Sequence, residues 1–160
     1  MKTKLYLDTS VPSAYYDYSK PIRQLITQKW FENESQNFEL YISVICLEEI
    51  NELKNDIKRE NINKLLLEYD MTVLPFTDET EILGNEYMNK GAIPSTEPED
   101  AFHIATATVN KIESIASWNF KHIVSANPIR KIHEINYKNN YSLIEIGSLE
   151  LFGGAKYGNL

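Results

Sequence analysis

The residues of this sequence that could do chemistry are acids placed where buried elements start or stop. Asp8 directly follows a short apolar run in the stretch KLYLDTSV. Moving an unpaired carboxylate out of water is very unfavourable, so an acid at the end of a core strand needs a partner. That partner can be a cation, a helix N-terminus or several hydrogen-bond donors, and the rest of the chain must supply it.

Further polar groups occupy comparable positions later in the chain. YISVICLEEI places Glu48 and Glu49 in the early turns of a predicted helix, and PEDAFHIATATV places Asp100 in a first helical turn. SIASWNF ends a predicted strand beside Asn119. Ligands of open α/β sheets gather beyond the carboxyl ends of the strands, so we expect all these groups at one sheet edge.

Each of these residues also has an ordinary structural explanation. The helix dipole favours an acid in a first turn, so Asp100 alone could be a capping residue. Neighbouring helical residues point about 100° apart, so one of Glu48 and Glu49 is expected to face solvent. The convergence of several such groups on one edge is what favours a functional site.

Hydrophobic periodicity predicts the elements that must position these residues. The pattern switches between short apolar runs and helical spacing, which is typical of an α/β domain with a mainly parallel sheet. The predicted strands are 4–8, 38–43, 71–76, 114–118 and 142–146, and the predicted helices are 20–34, 44–54, 56–69, 78–90, 98–111 and 128–138.

Composition places the chain in a broad class. Its 160 residues suffice for one domain with its own core, and 42% hydrophobic with 24% charged residues excludes a disordered chain. The lone cysteine, Cys46, cannot form an internal disulfide, and no stretch is long and apolar enough for a membrane span or a signal peptide. We therefore expect a cytoplasmic globular protein without membrane partners.

The net charge of −7 taken alone argues against nucleic-acid binding, whose usual footprint is basic. Its distribution is uneven, because residues 119–140 hold four cationic side chains against Glu134 alone. These are Lys121, Arg130, Lys131 and Lys138. The stretch can be an ordinary solvated face, which is the commoner case, or a surface that follows phosphates.

Other α/β chemistries fit these residues poorly. A phosphatase of the haloacid-dehalogenase type needs a second aspartate two residues after Asp8, where this chain has Ser10. No acidic pair of the receiver type precedes Asp8, and neither a Gly-rich phosphate loop nor a nucleophile elbow occurs. The histidines (His103, His122 and His133) show no zinc spacing with Cys46 and are expected to be packed or surface residues.

The order of the motifs YLDTSV, ISVICLEEI, EDAFHIATA and SWNFKHI resembles the PIN-domain family, which includes the VapC-like toxin ribonucleases of toxin–antitoxin pairs. The resemblance covers about residues 4–146. It implies a three-layer α/β/α sandwich with a mainly parallel central sheet over residues 1–147, followed by a C-terminal tail, 148–160, that we expect to be peripheral.

The resemblance also assigns site residues. The family's acids fall on Asp8, Glu49 (six residues beyond Ser43) and Asp100, and the fourth acid is replaced by the amide of Asn119. The polar residues expected to support them are Thr9, Ser10 and Ser117. Such a cluster of hard oxygen ligands suits Mg²⁺ or Mn²⁺, and a cation among the acids offsets their repulsion.

The resemblance implies a metal-dependent endoribonuclease that hydrolyses RNA to a 3′-hydroxyl and a 5′-phosphate, with a small antitoxin and a homodimer as partners. In this interpretation Asp8 and Asp100 hold the ion, Glu49 binds it or orients the attacking water, and Asn119 contributes its carbonyl or a water. The alternative is a PIN-fold RNA- or protein-binding module without catalysis, which the amide at position 119 and the acidic net charge favour.

Overall fold

A single all-parallel sheet organises residues 1–158, the part of the chain that the computed structural model describes. Its strands are β1 (Thr3–Leu7), β2 (Phe38–Ser43), β3 (Thr72–Leu74), β4 (Ser114–Ala116) and β5 (Glu145–Gly147). They lie in the order β3-β2-β1-β4-β5, so the strand that leads to Asp8 is central. This confirms the predicted α/β class and the central position of the first strand.

Strand β1 is covered on both faces, as parallel sheets require. Leu5 and Leu7 pack into one hydrophobic cluster, which includes Trp30 and Phe31, whereas Tyr6 points into the opposite cluster. This alternation follows the two-residue period of a strand. Leu5, Tyr6 and Leu7 are all fully buried. The central layer is thereby fixed between two helical layers.

Seven α-helices flank the sheet within residues 1–158. They are α1 (Ser10–Ala14), α2 (Pro21–Asn33), α3 (Val44–Asn51), α4 (Asp56–Glu68), α5 (Asp78–Asn89), α6 (Pro98–Val109) and α7 (Ala126–Lys138). Short 3-10 helices span Ser35–Asn37, Leu149–Phe152 and Ala155–Tyr157. None of the helices in this range combines the length and apolar character needed to cross a membrane.

The predicted elements agree with the observed ones apart from their ends and from helix α1. Strands β3 and β4 are shorter than the predicted runs 71–76 and 114–118, because the chain leaves the sheet after Leu74 and Ala116. Helix α1 was not predicted, since five residues are too few for a helical period to show.

The C-terminal segment packs against the core, which contradicts the expectation of a peripheral tail. Leu149 and Phe152 are buried, and Trp30 Nε1 donates to the Phe152 carbonyl oxygen at 2.9 Å. Tyr157 donates to Glu34 Oε1 at 2.9 Å, beside a Lys156–Glu34 ion pair. Positions 159 and 160 of the predicted tail lie outside the described residues, and a domain boundary at residue 147 stays a prediction.

Candidate metal centre

A cavity of about 250 Å³ opens at the carboxyl edge of the sheet. The four residues predicted from sequence, namely Asp8, Glu49, Asp100 and Asn119, all line it, together with Thr9, Ser10, Ser13 and His103. Glu48 is exposed and lines a different groove, beside Phe76 and Phe102. The geometry therefore brings the predicted residues together and separates the two neighbouring glutamates as expected.

Asp8 is 3% exposed and is held by a ring of donors. The Ser10 backbone N–H donates to Oδ1 at 3.1 Å, and the Ser10 hydroxyl donates to the same oxygen. Ser117 donates to Oδ2 at 2.8 Å. Burial raises the pKa of Asp8 even though nearby His103 and the two serine hydroxyls favour the carboxylate. The predicted supporting roles of Ser10 and Ser117 agree with these contacts.

Glu49 is positioned by the capped start of helix α3. The Ser43 hydroxyl caps this helix by accepting from the Ile45 N–H at 3.2 Å, which sets the register that turns Glu49 toward the cavity. Burial alone would raise the pKa of Glu49, but hydrogen bonds from His103 and Thr9 outweigh it and lower the pKa. Glu49 is therefore ionised at neutral pH.

A buried chain of hydrogen bonds holds Glu49 from behind. Tyr6 Oη lies 2.7 Å from Ser43 Oγ and 2.6 Å from His103 Nδ1. His103 Nε2 lies 2.6 Å from Glu49 Oε1, which also accepts from Thr9 Oγ1 at 2.7 Å. Whether His103 is neutral or protonated, its Nε2–H donates to Glu49, because the Tyr6 hydroxyl can either donate to Nδ1 or accept from it.

The charge of His103 is tied to the acids around it. Burial alone would lower its pKa, but the hydrogen bond to Glu49 and the charges of Asp8 and Asp100 outweigh burial and raise the pKa. His103 was expected to be a packed or a surface residue, and it is buried. Its role was missed, although it follows Asp100 by three residues and so lies on the same face of α6.

Asp100 lies in the first turn of helix α6 and is half-buried at the cavity wall. Burial and then the charge of Asp8 raise its pKa to about 7. The side-chain hydrogen bond it receives within residues 1–158 comes from Asn119 Nδ2, at 3.0 Å. An acid with so little compensation beside a second buried acid is an electrostatic environment that a cation relieves.

The Asn119 amide has a fixed orientation. Its Oδ1 accepts from the His122 backbone N–H at 2.9 Å while its Nδ2 donates to Asp100, and a flipped amide would place two donors face to face at His122. The Asn119 carbonyl oxygen therefore caps the turn that follows β4, and the Asn119 NH₂ group faces Asp100 in the cavity. Ligation of an ion by this carbonyl stays a prediction, for which the oxygen keeps a second lone pair beside the one that accepts from His122.

A second donor set shares Asp100. Glu97, Asp100 and His122 each offer a ligand atom, and these atoms all lie within 4.8 Å of one another. His122 Nε2 is 3.7 Å from Glu97 Oε1. His122 was expected to be packed or exposed, and no local spacing in the sequence relates it to Glu97. Within the described residues this second set is the group of three whose ligand atoms meet that distance, and the ligand atoms of Asp8, Glu49 and Asp100 are spread more widely. In donor chemistry, the oxygen-only set of Asp8, Glu49 and Asp100 suits Mg²⁺ or Mn²⁺ better.

The raised pKa of Asp100, about 7, predicts a pH dependence of stability for the metal-free protein. Between about pH 4 and 7 the folded state binds a proton that the unfolded state has lost, so this stabilisation is lost as pH rises through 7. When the pH is raised from 5 to 8 in EDTA, the free energy of unfolding of Asp100→Asn should rise by about 1–2 kcal/mol relative to that of wild type. This value allows for partial solvent screening of Asp100. Urea unfolding measures it.

The neighbouring exposed residue supplies the control for that experiment. Glu99→Gln removes an acid from the same helical turn and should follow the wild-type pH dependence. An Asp100→Asn variant whose stability runs parallel to wild type between the two pH values would contradict the assigned environment of Asp100.

Comparison with known proteins supplies a family and a fold. A model of the PIN domain matches residues 5–120. No curated protein matches the chain. Among solved structures, VapBC2 from Rickettsia felis, crystallised with a DNA fragment from its promoter, has a chain that is similar at a TM-score of 0.56 and 14% identity. The alignment covers 90% of this chain and 97% of that chain, and likeness at this identity establishes the fold.

Proposed function

The chain belongs to the PIN-domain family, and we propose that it is a Mg²⁺- or Mn²⁺-dependent endoribonuclease. The observation that carries the proposal is the convergence of Asp8, Glu49 and Asp100 on one cavity at the carboxyl edge of the sheet. Cleavage of single-stranded RNA in Mn²⁺ and in EDTA tests it. The proposed location remains the cytoplasm, in keeping with the free, buried thiol of Cys46.

Asp8 and Asp100 would hold the ion, with Glu49 as a third ligand or as the group that orients the attacking water. A bound ion would activate that water and offset the charge that develops on the phosphodiester. The protein's own part is orientation. Serine donors fix Asp8, and Thr9 and His103 fix one oxygen of Glu49, which leaves Glu49 Oε2 without a hydrogen bond from the described residues. That oxygen is the one available to a water or an ion.

The basic stretch 119–140 remains our proposed contact for phosphates. Lys121 follows Asn119 by two residues and is exposed, and Arg130, Lys131 and Lys138 lie along helix α7. Lys131 donates to the Gly91 carbonyl oxygen at 3.3 Å and Arg130 donates to Asn127 Oδ1 at 2.6 Å, so Lys121 is the better candidate for an RNA strand that passes the cavity.

We propose two protein partners, a small antitoxin and a second copy of this chain. The likeness to a chain of the VapBC2 assembly supports a toxin of a toxin–antitoxin pair with a small antitoxin protein. The homodimeric form is proposed from the family resemblance alone. Co-expression with the adjacent reading frame tests the antitoxin, which should co-purify with this chain and suppress its RNA cleavage.

The amide of Asn119 leads to a prediction about metal affinity. Asn119→Asp keeps the acceptor for His122 N–H and places its other oxygen opposite Asp100, where Nδ2 now lies 3.0 Å away. The added charge should tighten Mn²⁺ binding by on the order of 1 kcal/mol and lower the stability of the metal-free protein. Calorimetric Mn²⁺ titration measures the affinity.

A matched charge change elsewhere gives the control for this titration. Asn127→Asp introduces the same charge at an exposed position on α7, away from the cavity, and should leave the affinity unchanged. Equal affinities for Asn119→Asp and wild type would mean that position 119 does not face the ion.

A further inference from the structure

A second concave surface, the α2 groove, lies beside the acidic cavity. It encloses about 450 Å³, and its lining includes Lys20, Ile22, Arg23, Trp118, Phe120 and Glu150. Its volume falls within the range of small-molecule sites, roughly 300–1,000 Å³. Its walls are mostly apolar, and Ile22 and Phe120 are 70% and 45% exposed. Such surface is costly to leave open unless something covers it.

The groove and the acidic cavity share one turn of backbone. Trp118 and Phe120 flank Asn119 in sequence, so alternate residues after β4 face the groove and the cavity. The Trp118 backbone N–H donates at 2.8 Å to the Ser10 hydroxyl, which itself donates to Asp8. The groove and the cavity therefore lie on either side of residues 118–120. An RNA strand held in the cavity would reach the groove by passing this turn.

Arg23 forms a planar cationic platform in the groove. Its guanidinium carbon lies 5.3 Å from the Trp118 ring centre and 5.7 Å from the Phe120 ring centre. Trp118 is itself immobilised, because its Nε1 donates to Thr27 Oγ1 at 3.0 Å. Arginine planes and aromatic faces are the surfaces on which unpaired bases stack in single-strand binding sites.

Positive charge also collects at this end of helix α2. Lys20 is the N-cap residue and Arg23 lies in the first turn, where the helix dipole disfavours cations. No acid occurs in that turn, and no side chain caps it. Within residues 1–158, Glu150 is the acidic side chain that lines the groove. Two cations beside uncapped helical N–H groups form a site for an anion such as a phosphate.

We propose that the α2 groove binds one unpaired nucleotide of the RNA strand whose phosphodiester enters the acidic cavity. The base packs on Phe120 and the Arg23 guanidinium, and a flanking phosphate contacts Lys20 and the start of α2. The identity of the strand rests on the proposed function. The groove accounts for how an acidic chain, with net charge −7, selects a nucleic acid locally.

The test is binding of a short, fluorescein-labelled single-stranded oligoribonucleotide in EDTA, which separates binding from cleavage. Phe120→Leu keeps an apolar side chain but removes the ring, and Arg23→Gln removes the charge. Each should weaken binding about fivefold or more, the change that corresponds to about 1 kcal/mol of stacking. Arg23→Gln should also reduce the slope of log affinity against log salt by about 0.7.

The controls remove the same chemistry from other exposed sites. Phe76→Leu removes an exposed aromatic ring outside the groove and outside the stretch 119–140, and Lys64→Ala deletes an exposed cation on α4; both should bind as wild type does. Unfolding curves verify that all variants fold. Failure of wild type to bind the oligonucleotide, or equal binding by the groove variants and controls, would overturn the proposal and leave a protein segment as the occupant.

Binding measured in EDTA and cleavage measured in Mn²⁺ test the groove and the proposed nuclease activity independently. RNA binding that depends on Phe120 and Arg23, without cleavage in Mn²⁺, would support the groove as a nucleotide site and contradict the proposed nuclease activity. Cleavage of RNA in Mn²⁺, with unchanged RNA binding by both groove variants, would support the nuclease activity and contradict the groove as a nucleotide site.

Discussion

Asp8→Asn should abolish metal-dependent RNA cleavage, with a loss of about 100-fold or more in rate at saturating Mn²⁺. Asp8 is the most deeply buried acid lining the cavity, and its charge contributes to the raised pKa of Asp100. Asparagine retains an acceptor for the Ser10 donors and offers an amide to Ser117, so the local hydrogen bonds persist. The metal-free variant should therefore be at least as stable as wild type.

Asp17 provides a matched control for this substitution. Its Oδ1 accepts from the backbone N–H and the hydroxyl of Ser19, the same local arrangement that Asp8 forms with Ser10, but it lies outside the cavity. Asp17→Asn should cleave RNA at the wild-type rate. Initial rates with labelled RNA, with and without EDTA, measure both variants. Unchanged cleavage by Asp8→Asn would rule out Asp8 as a metal ligand.

Tyr6→Phe should lower both stability and activity, because it removes one hydroxyl from the chain behind Glu49. That hydroxyl contacts Ser43 and His103 in a fully buried site, so its loss leaves polar groups without partners. The cost should be about 1–3 kcal/mol in the free energy of unfolding. Loss of the fixed His103 orientation should also lower kcat by about tenfold, as removal of an outer-shell partner does.

Tyr87 is the matched control, since it separates lost stability from lost positioning. It is also a fully buried tyrosine, and its hydroxyl contacts Asn136 and Thr108. None of these three residues lines the acidic cavity. Tyr87→Phe should lower stability by a similar amount and leave kcat unchanged. Equal activities of the two variants, at temperatures where both are folded, would show that the Tyr6 hydroxyl does not position Glu49.

Much of the site was predictable because it obeys local rules. Asp8 interrupts an apolar run, which is unfavourable without a partner and therefore conspicuous. The helical period predicted only that one of Glu48 and Glu49 faces solvent, and the resemblance to the PIN-domain family chose Glu49. The structure gives a physical basis for that spacing, because Ser43 caps helix α3. The order of the five strands and the helices between them followed from the change between strand and helical periods.

The features that sequence reasoning missed depend on contacts between distant residues. His103 contacts Glu49 across 54 positions and Tyr6 across 97, and no local pattern encodes such pairs. Trp30 fixes Phe152 across 122 positions, which ties a Gly-rich segment to the core. The direction of the Asn119 amide depends on whether the turn after β4 offers it the His122 N–H, a matter of backbone geometry rather than residue type.

We propose that Asp8, Glu49 and Asp100 hold a divalent ion and that the protein hydrolyses RNA at this site. The most direct measurement is end-group analysis of a single-stranded RNA incubated with the wild-type protein in Mn²⁺ and in EDTA. We expect fragments with 5′-phosphate and 3′-hydroxyl ends in Mn²⁺ and intact RNA in EDTA. Intact RNA in both, or cleavage in EDTA that leaves 2′,3′-cyclic phosphate ends, would contradict the account.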